Sequence, residues 1–269
     1  MFWNLFDIIS STKICMKKFK MRTRVLLILV IVSSFSVSFA FPGIGDDPRV
    51  QNSITFIGIL FGIIVGFFIA DLYSRYQAIR DNAGTDSSCL STFYFFAEIL
   101  AKETGDKKWL KKVEDRIEQY IKTFMPLSWE QYSGTEKEFS ELGKSLKEIQ
   151  YKGDKSNETY SNILNVYNQH STARENLVMF GTDKLSVGEW LITLFLGILL
   201  LASLLYVKDT SLVSNIFTGS ILSAIIMLFI VLRDLNNLDI GESSVSVEPY
   251  ERVLDAIGKP RCFADKKKK

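Results

Sequence analysis

The chain has 269 residues, with 32 Lys plus Arg against 30 Asp plus Glu and a formal net charge of +2, a balance that excludes a nucleic-acid binder held by excess positive charge. Hydrophobic residues make up 47% and aromatic residues 13% while 23% are charged, which excludes a disordered chain, a collagen-like chain and a disulfide scaffold. The apolar residues are gathered in a few charge-free blocks with the charges between them, so an average composition conceals a membrane architecture.

Residues 16–24 carry Lys17, Lys18, Lys20, Arg22 and Arg24, and residues 25–41 contain no charge. A basic flank before a short apolar run fits a first transmembrane helix, or a signal peptide with Ser38-Phe39-Ala40 as its cleavage site; Met16 or Met21 offers an alternative start. After this first segment, 1–41, Pro42, Gly43, Gly45, Asp46, Asp47 and Pro48 give residues 42–52 a turn-rich external character.

Residues 50–70 are uncharged and long enough, at ~1.5 Å per residue, to cross a ~30 Å hydrocarbon core. Gly58, Gly62 and Gly66 recur at intervals of four along this helix, where missing side chains admit close approach by a helix of the same chain, by another subunit, or along a pore. Phe61 and Phe67 lie among them as helix-packing or pore candidates.

Residues 71–187 are polar overall but periodic. Asp106 is placed to cap a helix whose apolar face is Trp109, Val113, Ile117, Ile121 and Phe124, with Pro126 ending it. Thr135 to Glu138 reads as a capping box ahead of Phe139, Leu142 and Leu146, and Tyr160, Ile163, Leu164 and Tyr167 mark a third amphipathic stretch. Several such helices should pack as a bundle, and the breakers Gly105, Pro126, Gly134 and Gly153 disfavour a continuous coiled-coil stalk.

Residues 190–207 and 210–232 form two more apolar blocks joined only by Lys208 and Asp209, a joint so short that it forces an antiparallel hairpin. Ser186 and Glu189 make a capping box before the first of them, Trp190 sits at its interface end, and Gly219, Ser220, Ser223 and Ala224 give the second a close-packing face. Asn215, near one end, is placed to hydrogen-bond at the interface. In the tail, 233–269, residues 243–247 alternate like a short strand, Pro249 opens a helix with the apolar stripe Tyr250, Val253, Leu254 and Ile257, and Lys266 to Lys269 close the chain. The fold class expected is an all-α membrane protein with three to four transmembrane helices and a cytoplasmic helical bundle between the second and third hydrophobic segments.

Orientation follows from the charges beside the blocks. Five basic residues precede the first block and Asp46 and Asp47 follow it, so the second span runs inward and delivers Arg75 and Arg80 to the cytoplasm, and Arg233 returns there after the hairpin. Asp71, Arg75, Arg80, Arg233 and Asp234 would then surround a cytoplasmic mouth. Site chemistry is sparse: Cys15, Cys89 and Cys262 form no metal or redox pair, His170 is the single histidine and is expected to be a helix-surface or packing residue, and the spans hold no paired acids. No catalytic residue, metal or cofactor is expected.

The exit of the second span, Gly66-Phe67-Phe68-Ile69-Ala70-Asp71-Leu72-Tyr73-Ser74-Arg75-Tyr76, followed by Phe93-Tyr94 and Ala97-Glu98-Ile99-Leu100, resembles the bestrophin-like family of multi-pass membrane proteins of unknown function. Tyr120 with Trp129-Glu130, Arg174, Trp190, and the run from Asp234 to Gly241 resemble further family features, so the likeness spans roughly residues 66–257. The chain departs from the pattern with Asp86-Ser87 in place of Glu-Ala, Phe96 in place of an arginine, and Asn236 and Leu238 in place of an aspartate and a proline. The resemblance implies paired spans around a cytoplasmic helical domain and, by analogy with bestrophins, a homo-oligomeric ion channel in the lipid bilayer. The alternative is a membrane-anchored interaction protein whose helical domain binds a cytoplasmic partner.

Overall fold

The computed structural model describes residues 25–43, 48–125, 127–149, 153–238 and 247–261, and these are helical with no strand among them. They divide into two compact units, the first drawn from Met1–Tyr73 and Lys184–Ser244, the second from Ser74–Asp183 and Val245–Lys269. The basic flank at 16–24, Asp46 and Asp47, Pro126, the expected strand at 243–246 and the terminal lysines lie outside the described residues.

The first unit is the apolar one. Helix α1 (Val25–Ala40) is short, whereas three helices are long and apolar enough to cross a membrane: the front of α2 (Pro48–Thr104), α6 (Val187–Val207) and α7 (Leu212–Asn236). The 57 residues of α2 are far more than a bilayer core requires at ~1.5 Å per residue. Residues 50–70 are its apolar front, and the chain continues helical past them because nothing before Gly105, at φ +79°, breaks the hydrogen-bond ladder. The expected box starts α6: Ser186 Oγ accepts from Glu189 N at 3.3 Å and Glu189 Oε2 accepts from Ser186 N at 2.6 Å.

Inside this unit Phe61, Val65, Leu196, Leu200 and Ile225 form one core cluster, and Leu72, Leu232 and Leu235 form another against which Trp190 packs. Small residues set the helix spacing. A Cβ on Gly197 would stand 2.6 Å from the Phe229 ring, and one on Gly219 would stand 3.0 Å from Phe35 of α1. Helix α1 is tied down further by Ser38, whose hydroxyl donates to the Asn215 carbonyl at 2.8 Å.

Lys208, in the short joint of the hairpin, is buried at 6% exposure. Its ammonium donates to the Ser38 carbonyl of α1 and to Asn215 Oδ1 of α7 at 2.6 Å. A buried ammonium needs such acceptors, and Asn215, itself 8% exposed, supplies one from inside the unit and not from its surface.

The second unit combines the rear of α2 with α3 (Lys107–Phe124), a 3₁₀ helix (Trp129–Thr135), α4 (Glu136–Glu148), α5 (Asp154–Thr182) and α8 (Glu248–Ala256). Asp106 caps α3 as its spacing predicts, accepting from Trp109 N at 2.9 Å. The predicted box at Thr135 does not form. Thr135 closes the 3₁₀ helix with φ −86°, ψ 4°, so its hydroxyl donates to the Tyr132 carbonyl at 2.8 Å and is unavailable to cap α4. At the start of the 3₁₀ helix Gln131 Oε1 accepts from Ser128 N at 3.5 Å instead. The apolar stripe of α8 is buried in this unit, as its pattern demands: Tyr250, Val253, Leu254 and Ile257 are each 5% exposed or less.

Candidate functional site

The front of α2 has two unlike faces. Phe61 and Val65 point into the core of the first unit, each 3% exposed, and Phe61 meets Phe229 with ring centroids 5.9 Å apart. The opposite face is bare: Phe56 and Phe67 are each 70% exposed, Ile59 59% and Ile63 65%. These residues recur every three or four positions, the helical period, so they form one continuous apolar stripe.

Gly62 and Gly66 lie on the bare side, and a Cβ added to either meets nothing within 4 Å; Gly58 would touch Leu200 at an ordinary 3.8 Å. Among the described residues, packing therefore accounts for none of the three glycines by close approach. Close-approach glycines stand instead at 197 and 219, and at 181 and 143 in the second unit. Phe61 and Phe67, alike in the sequence, lie on opposite faces, and Phe56, Ile59 and Ile63, whose spacing alone could have found them, join Phe67.

The candidate mouth charges belong to both units, Asp71, Arg233 and Asp234 to the first and Arg75 and Arg80 to the second. Asp71 is exposed at the end of the first unit's part of α2, and Arg233 pairs with its neighbour Asp234 at 2.9 Å. Arg75 is 5% exposed, and its guanidinium donates to the carbonyls of Phe180 and Gly181 at 2.6 and 2.9 Å. Those are carbonyls of the last turn of α5, which lack helical donors and carry the negative end of its dipole, so Arg75 acts as a charged C-terminal cap. Arg80 is exposed on the rear of α2.

The densest polar chemistry lies in the second unit, around a residue noted in the sequence only as a departure from a family pattern. Asp86 is fully buried, and its Oδ2 accepts hydroxyls from Tyr132 at 3.0 Å and Tyr250 at 2.8 Å. Tyr132 also shares a 2.6 Å hydrogen bond with Tyr120. Burial first, and the Asp86 charge second, hold all three phenols well above the ordinary tyrosine range.

His170, 1% exposed, places Nε2 2.9 Å from Asp86 Oδ1 but off the line of a directed hydrogen bond, since neither ring nitrogen nor Oδ1 has a hydrogen-bond partner. Its ring is set by edge contacts to Tyr120 and Phe139 at 5.4 and 5.2 Å. Histidine packing is what the sequence led us to expect; the carboxylate beside it is not. Arg174 stacks over Phe139 at 5.1 Å and pairs with Glu136 at 2.7 Å. The arrangement contains no nucleophile poised beside a base. Its hydrogen bonds join α2, the 3₁₀ helix and α8 through one carboxylate, an architectural role. Among the described residues no group of three or more His, Cys, Asp or Glu could hold a metal ion.

Comparison with known proteins converges on one family. A model of the Bestrophin-like domain matches residues 23–250. The fold is similar to that of a bacterial bestrophin homologue from Klebsiella pneumoniae, with a TM-score of 0.60 at 13% identity over 88% of this chain and 97% of that one. A single-residue variant of a Klebsiella pneumoniae homologue gives a TM-score of 0.62 at 14% identity, covering 90% of this chain and 98% of the other. At that identity the likeness establishes the fold. No curated protein sequence matches.

Proposed function

Because the chain belongs to the bestrophin-like family, we propose that it is an oligomeric ion channel of the cell membrane in which copies of α2 surround the ion path. The observation that carries this reading is the bare stripe of Phe56, Ile59, Ile63 and Phe67, apolar and unpacked, on a helix whose Phe61 and Val65 are buried in the core of the first unit. The inner side of α2 is filled by Phe61, Val65 and their partners, leaving a single copy no internal conduit. Several copies, related by rotation, provide one. Gly62 and Gly66 have open space where a neighbouring helix can approach. Rings of Ile63 and Phe67 around an axis make a hydrophobic constriction that gates by wetting and dewetting.

The same reading places the second unit in the cytoplasm, from the basic residues flanking the first hydrophobic block and following the second. In a background lacking Cys15 and Cys262, a membrane-impermeant thiol reagent should leave Gly153→Cys unlabelled in intact cells; labelling there would reverse the orientation. It also keeps α1 as a retained membrane helix, since Ser38 and Phe35 hold it to α7 and Lys208. The purified protein should therefore begin upstream of residue 25 by intact mass, and a start at Phe41 would contradict this.

Purified protein in liposomes tests the central reading, which requires ion flux above that of empty vesicles. A second reading, binding of a partner by the second unit, draws on Phe95, 56% exposed with its ring 5.5 Å from that of Phe96. Pull-down with the full chain should then lose its target on Phe95→Asp.

A further inference from the structure

Away from the Asp86 cluster, the second unit holds an open cleft of about 620 Å³ between α2, α5 and α8. Small-molecule sites run from roughly 300 to 1,000 Å³. Gly84 lines this space, and nothing lies within 4 Å of the position its Cβ would take.

The lining is charged in an unusual way. Two of the walls each carry one guanidinium and one carboxylate, Arg80 and Asp81 on α2, Arg252 and Glu248 on α8, and the Gln169 amide of α5 shares the lining. On α8 the two charges meet at 3.4 Å, with side chains 70% and 68% exposed, a loose pair that a ligand can displace. On α2, among the described residues, neither the Arg80 nor the Asp81 side chain has a hydrogen-bond or ion-pair partner.

A lone anion in this cleft meets two carboxylates and a lone cation meets two guanidiniums, so singly charged molecules gain on one group what they lose on another. A molecule bearing both charges satisfies each wall. We infer that the cleft binds a small zwitterion, an amino acid or dipeptide, whose carboxylate is held by Arg80 in the planar two-point geometry that guanidinium favours and whose ammonium is held by Glu248 of the other wall. Such a ligand bridges α2 and α8, and by binding only the docked arrangement it holds α8 in place. This inference is independent of whether the protein conducts ions.

Thermal unfolding and calorimetry of the full chain in detergent test it, with L-alanine and glycylglycine as probes and acetate, inorganic phosphate and ethylamine as single-charge controls. At least one zwitterion should raise the melting temperature saturably while the controls do not. Arg80→Gln and Gly84→Leu should melt like the parent without ligand and bind at least about tenfold more weakly. Two variants are used so that either one decides if the other fails to fold. The inference is overturned by the absence of any saturable shift with both zwitterions, by an equal shift with acetate or phosphate, or by unchanged affinity in a folded variant.

Discussion

Asp86 Oδ2 receives one hydroxyl from the 3₁₀ helix and one from α8, and this one atom joins segments 46 and 164 residues away in sequence. Hydrogen bonds to a charged acceptor contribute ~1.5–3 kcal/mol each, so Tyr132→Phe and Tyr250→Phe should each lower unfolding free energy by about that amount in denaturant titrations. Asp86→Ala strands both hydroxyls together and should cost about 3 kcal/mol or more.

The phenols also give an alkaline signature. Tyr120, Tyr132 and Tyr250 have folded pKa values raised above the unfolded one, chiefly by burial, so their contribution is fully present below pH 10 and is lost as pH rises beyond it. Phenolate absorbance should show part of the ten tyrosines titrating only as the protein unfolds; ionisation of all ten in the folded state would refute the buried cluster. None of this was legible from pattern. Tyr250 reads as one more apolar position on α8, and periodicity carries no sign that its hydroxyl has a carboxylate to reach.

Among elements, glycine positions separate the contacts made within the chain from surfaces left open. A Cβ on Gly181 of α5 would stand 2.3 Å from the Trp129 carbonyl oxygen, a backbone atom that cannot swing aside. Gly181→Ala should therefore destabilise by about 1–3 kcal/mol, as overpacking does. Gly62→Ala, with nothing within 4 Å, should leave the melting of a single chain unchanged and instead weaken assembly measured by native mass spectrometry.

Helix α8 is held at its far end by Lys259, which donates to Asp115 at 2.6 Å and Glu118 at 2.8 Å. Hydrogen bonds from Lys122 first and Lys259 second lower the Glu118 pKa. Its contribution is thus present above the ordinary carboxylate range and lost as pH falls through the folded value, so the protection of α8 amides relative to their intrinsic exchange rates should fall in acid and not near neutrality. The helices themselves were largely readable, since Asp106, Ser186 and Pro249 mark starts by local chemistry. The Thr135 box failed because the 3₁₀ helix preceding it, set by tertiary packing, had already used that backbone.

For the whole molecule, charge-free blocks announced the membrane helices and amphipathic periods announced the second unit, because both signals are written in nearest-neighbour order. Which face of α2 is covered was not readable: Phe61 and Phe67 look equivalent in a uniformly apolar block, and only the positions of α6 and α7 bury one and bare the other. The burial of Lys208 was not readable for the same reason, since one of its two acceptors is the Ser38 carbonyl, far off in the chain. On the proposed function, the bare stripe of α2 lines an ion path built from several copies. Single-channel recording of purified protein in planar bilayers, comparing the parent with Phe67→Ala, tests this. Discrete openings are expected in the parent, and altered conductance or open probability in a variant of unchanged melting temperature. Silence of the parent with both anions and cations, or an identical record from the variant, would contradict it.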